Sequence, residues 1–124
     1  MTWSQRLLSV AFMTTGLLHF LQTETYEGIM PAYLPAHREL VLISGAAEIA
    51  GAVAIAFPRT RPAGGLWLIA LLILVFPANV NMAVHSERFA SIAPALLWAR
   101  LPLQGLLIWW VYRATRPPRA APKP

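Results

Sequence analysis

Glu48, His19 and Arg100 are the residues whose type and setting could do chemistry. Glu48 lies in ELVLISGAAEIAGAVAIAF and Arg100 in LWARLPLQG, stretches that are otherwise almost wholly apolar. A carboxylate, an imidazole and a guanidinium gathered in a low-dielectric site can exchange protons, bind a carbonyl oxygen or stabilise a developing oxyanion. An ionised group in hydrocarbon costs about 2.5 kcal/mol or more, so each needs a partner, a proton or a wet cavity. Asn79, Gln104, Tyr33 and His37 are candidates for binding a ligand beside them. The three histidines form no HxxxH or ExxH pair within one helix, so no metal site is expected.

The elements that must position these groups follow from the apolar runs. Of the 124 residues, 57% are apolar and only 12% are charged, too few charges to cover a soluble domain of this size. Four runs, at about 4–22, 39–57, 64–85 and 92–112, are each close to the ~20 residues that a bilayer core requires. Arg6 ahead of the first run also fits a signal peptide, but no small-x-small cleavage site closes it. The connections are short, so neighbouring runs must be antiparallel. The pattern predicts an all-α protein: one domain over 1–113, a four-helix transmembrane bundle running up-down-up-down. Residues 114–124 should form a disordered basic tail.

Direction follows from the cations. Arg6, Arg59, Arg61, Arg113, Arg116, Arg119 and Lys123 fall on one side, against Arg38 and Arg88 on the other. The positive-inside rule therefore puts both termini in the cytoplasm. The basic tail suits an anionic lipid surface, whereas nucleic acid is excluded because the cations line no folded face. The segment TETYEGIMPAYLPAHRE should cross the outer mouth as an irregular cap, with Tyr33 and His37 closing it.

On this topology Glu48 lies ten residues into its helix, or ~15 Å deep at ~1.5 Å per residue. Ser44, Glu48, Gly51 and Ile55 share one helical face, and small neighbours let another helix approach it. Arg100 enters from the same side at nearly the same depth, which predicts an ion pair with Glu48, direct or bridged. Pro77 frees the carbonyl of Ile73, and Asn79 and Asn81 point about 200° apart. His19, Glu48, Asn79, Arg100 and Gln104 would thus face a polar pocket in the outer half of the bundle.

The stretches GLLHF, IMPAYLPAH, SGAAEIAGAVAIAFPRTRPAG and VFPANVNMA resemble the DoxX-like family of small four-helix membrane proteins, related to DoxD and MauE, over roughly residues 12 to 112. His19, Pro35, Glu48, Pro77 and Asn79 fall on its motif positions. The resemblance implies the bacterial cytoplasmic (inner) membrane and a link to a redox complex. The chain has no cysteine, a departure from the thiol-redox relatives that argues against thiol chemistry of its own.

Together these features suggest a membrane protein that binds a lipophilic small molecule, a quinone being the candidate cofactor, and works with a partner oxidoreductase. In that reading Glu48 and His19 handle protons and Arg100 acts electrostatically. One alternative is a stand-alone membrane enzyme, of isomerase or hydrolase type, acting on a hydrophobic substrate. Another is a non-catalytic assembly subunit in which the charges only fix helix packing. A homo-oligomer is compatible with all three.

Overall fold

The computed structural model describes residues 1–89 and 92–117. Arg119 and Lys123 of the expected tail, and the side chain of Arg88, lie outside the described residues. Every regular element among the described residues is helical: α1 (Trp3–Leu21), α2 (Thr23–Ile29), α3 (His37–Ala56), α4 (Arg61–Val84) and α5 (Pro94–Thr115), with a 3-10 turn at Ser86–Phe89. The four long helices match the four apolar runs to within three residues at each end.

Local chemistry sets the boundaries. Thr2 and Gln5 form a reciprocal capping box that satisfies two otherwise unpaired donors at the start of α1. After α3, Thr60 Oγ1 donates to the Ala54 carbonyl at 2.6 Å and Arg61 Nε to the Ile55 carbonyl at 2.8 Å. Those bonds occupy acceptors that the end of the helix leaves free. Pro62 and Pro94 sit in first turns, where a missing N–H costs nothing.

α3 and α4, of 20 and 24 residues, are long and apolar enough to cross a membrane. Only 28% and 22% of their most apolar stretches are buried, so most of that surface faces outward. α1 and α5 are less apolar because they carry Gln5, Thr15, His19, Arg100, Gln104 and Arg113.

The segment expected to be an irregular cap instead contains α2. TETYEGI has no residue that forbids a helix before Pro31, and Thr23 Oγ1 donates to the His19 carbonyl across the junction at 2.8 Å. The chain enters α3 through Ala36, whose φ of 53° is left-handed.

α1 packs along α3, α3 on α4 and α4 on α5, while α1 and α5 touch only sparsely. At the end carrying the termini, Leu8, Phe12, Ala52, Ile55, Leu68, Leu72 and Val111 form a buried cluster. Near α2 a smaller cluster joins Met82, Ala83 and Leu97. Asn81 Nδ2 donates to the Ile29 carbonyl at 2.9 Å and so ties α2 to α4. Asn81→Leu leaves that carbonyl without its donor and should weaken the tether by about 1 kcal/mol. Hydrogen exchange across residues 23–29 should accelerate relative to α3. Unchanged exchange there would show that Asn81 is not the tether.

Candidate functional site

Between the two clusters lies a cavity of about 360 Å³, walled by all five helices. Leucine, valine, isoleucine, phenylalanine and alanine make up half of its lining residues, and Met30 adds to the apolar wall. Polar groups enter from α1, α2 and α3 on one side and from α4 and α5 on the other.

The first side is built on a close helix crossing. A Cβ placed on Gly45 would stand 2.6 Å from His19 Cβ and 2.9 Å from the Gly16 carbonyl oxygen. Only glycine permits that approach, and it sets His19 against Glu48. His19 Nδ1 lies 3.1 Å from Glu48 Oε2 and 2.7 Å from the Thr15 carbonyl oxygen. A carbonyl can only accept, so Nδ1 carries a proton directed at Thr15. The contact with Glu48 is therefore electrostatic in distance but lacks hydrogen-bond geometry. Glu48 Oε2 is accordingly buried without a hydrogen-bond partner.

Glu48 Oε1 accepts from Thr15 Oγ1 at 2.9 Å, and the same hydroxyl lies 3.3 Å from the Phe12 carbonyl oxygen. This pair accommodates either protonation state without moving a heavy atom. The hydroxyl donates to an ionised Glu48; if Oε1 carries a proton, it accepts from Oε1 and donates to Phe12. The arrangement can thus hold and release a proton at low reorganisation cost.

Tyr26 was not among the residues singled out from the sequence. Its ring stacks on His19 with centroids 4.0 Å apart and 20° between planes, and it lines the cavity. Burial lifts its phenol above the ordinary range. The Glu48 carboxylate adds to that effect and Arg100 opposes it. The hydroxyl is therefore a neutral donor at physiological pH, within electrostatic reach of both charges. Because its folded value is raised, its contribution to stability is complete below the unfolded value and is lost as pH rises through the folded one. Positions 19, 23 and 26 have helical spacing, the signal that could have found Tyr26 had the segment been read as helix.

On the second side, Arg100 reaches the cavity from α5 but does not pair directly with Glu48. Its Nη1 approaches Met82 Sδ at 3.6 Å, and the carboxylate is taken by His19 instead. The Gly16–Gly45 crossing explains the exchange of partners, since it brings α1 closer to Glu48 than α5 comes. Asn79 Nδ2 donates to Gln104 Oε1, and Gln104 Nε2 donates to the Leu72 carbonyl. That carbonyl lies one residue before the Ile73 carbonyl expected to be freed by Pro77. Asn79 and Gln104 line the cavity, yet these bonds join α4 to α5.

Tyr33 and His37 are not at the cavity. Tyr33 is 76% exposed, and His37 Nε2 donates to the Pro31 carbonyl at 3.0 Å, bracing the turn before α3. The mouth-closing role expected of them does not hold, because α2 rather than the following loop covers this end. Ser44 and Thr15, from the polar faces of α3 and α1, do line the cavity.

The family described as Domain of unknown function (DUF8561) matches residues 8–115, and the chain belongs to it. No curated protein and no solved structure matches the chain.

Proposed function

We propose that this member of the DUF8561 family is a four-span membrane protein akin to the DoxX-like proteins, with both termini cytoplasmic. We further propose that its cavity binds a lipophilic small molecule bearing hydrogen-bonding oxygens. The topology is supported by the apolar character of α3 and α4 and by the bias of cations toward the end carrying the termini. Leu7, Val10, Leu74, Leu96 and Leu106 are all more than half exposed, an outward surface suited to lipid. In that topology the cavity lies in the outer half of the bundle.

The observation that carries the ligand reading is the cavity itself: apolar walls with an imidazole–carboxylate–phenol group on one side and a guanidinium on the other. Its volume of about 360 Å³ lies near the lower end of the ~300–1,000 Å³ typical of small-molecule sites. A quinone head fits this description, with an apolar ring and two carbonyl oxygens, and it would supply two-electron, two-proton chemistry in concert with a partner oxidoreductase. Arg100 would donate to one oxygen. Tyr26 would orient the other, and Glu48 with Thr15 would hold or release a proton beside it. Asn79 and Gln104 would position the wall rather than the ligand, because they are engaged with each other and with Leu72.

Titration of purified protein in nanodiscs with short-chain quinones tests the reading. Glu48→Gln and Arg100→Leu should each weaken binding about tenfold or more, the scale of one lost charge-assisted hydrogen bond. Equal binding by both variants and the wild type would remove the reading.

A further inference from the structure

We infer that the ligand is a tailed amphiphile that enters sideways from the bilayer between α1 and α5, its head in the cavity and its hydrocarbon tail in the seam. This deepens the reading above and rests on it.

Three observations point to that seam. The packing order leaves α1 and α5 in sparse contact, and Gln5 Nε2 donating to the Ala114 carbonyl at 2.9 Å ties them near the termini. The exposed residues of the cavity wall are Thr15 on α1 with Arg100 and Leu103 on α5, whereas the wall residues from α2, α3 and α4 are half-buried or buried. The mouth therefore opens between the first and last long helices. The route under α2 is obstructed by the Tyr26–His19 stack and by the Asn81 tether to Ile29.

The chemistry of the seam identifies the class of ligand. On α5, Leu96, Leu103 and Leu106 lie within about 80° of one another around the helix and expose apolar side chains beside the mouth. A hydrated solute gains nothing from crossing such a surface, whereas an alkyl or isoprenoid chain stays in its own solvent. The cavity of about 360 Å³ holds a substituted ring but not a long tail as well, so the tail must leave by the mouth. Arg100 stands at that mouth, where a polar head passing inward meets a donor.

The chain has no cysteine, so single cysteines can be introduced and given a bulky maleimide adduct. Leu103→Cys lies at the seam, and Tyr33→Cys lies in the loop before α3, away from the cavity. Both parent side chains are exposed, which keeps folding out of the comparison. The probe is decyl-ubiquinone, with the tail-less benzoquinone head as its counterpart, both referred to their concentrations in the membrane. The adduct at 103 should slow association of the decyl probe by about tenfold or more, and the adduct at 33 should leave it unchanged. The decyl probe should also bind more tightly than the bare head.

Slowing only at 33, or at neither site, overturns the lateral route. Equal affinity for head and decyl probe, with Glu48→Gln still weakening binding about tenfold or more, overturns the tailed class while the ligand reading stands. No binding of either probe by the wild type overturns both.

Discussion

Gly45→Leu should lower the stability of the folded protein by about 3 kcal/mol, the upper part of the usual range for overpacking. The new side chain would start from a Cβ already within 3.1 Å of His19, the Gly16 carbonyl and the Phe20 ring. A backbone oxygen cannot move aside as a flexible side chain can, so α1 must lift away from α3. Because α1–α3 is the most extensive packing in the molecule, the loss extends beyond one contact. The same displacement withdraws His19 from Glu48.

Gly105→Ala is the control. No atom lies within 4 Å of a Cβ at that position on α5, so only helix propensity changes. A gain of about 0.5–1 kcal/mol is expected there. Denaturant titration in micelles, followed by circular dichroism, reads both variants. Similar midpoints for Gly45→Leu and the wild type would contradict the close crossing.

His19→Leu should cost about 2 kcal/mol, the scale of stripping a buried polar group of a polar neighbour, and Glu48→Leu in the same chain should recover most of it. That scale applies because the two side chains are only 13% and 14% exposed, so water cannot replace the lost neighbour. His19→Leu leaves Glu48 with the Thr15 hydroxyl as its remaining neighbour, in surroundings that are otherwise mainly apolar. Removing the carboxylate as well replaces an unpaired polar group by packing. Arg100→Leu should change stability little, since no carboxylate of Glu48 pairs with it, while it weakens ligand binding. A double-mutant cycle over His19 and Glu48, set beside one over Arg100 and Glu48, separates the two pairings. Coupling confined to Arg100 and Glu48 would reverse the assignment.

What was legible in the sequence depended on period and cost. Apolar runs of the right length mark helices because each helix hydrogen-bonds within itself and its ends follow local rules. α1, α3, α4 and α5 therefore appear where the pattern puts them. Glu48, His19, Arg100, Asn79 and Gln104 stand out for a related reason: polar groups are expensive among apolar neighbours, so their presence signals a shared interior. All five line one cavity.

The sequence alone thus determined the four long helices and most of the polar residues that face inward, since both follow from short-range geometry and burial cost. Only the tertiary structure decided who meets whom. Depth along a helix places Glu48 and Arg100 at one level, but pairing also depends on lateral distance, and the glycines at 16 and 45 give that contact to α1. Glycine carries no side chain to show whether it serves a crossing, as at 45, or faces open space, as at 105. Tyr26 remained hidden because a seven-residue helix has too few turns to impose a period, and the packing of α2 on its neighbours positions it.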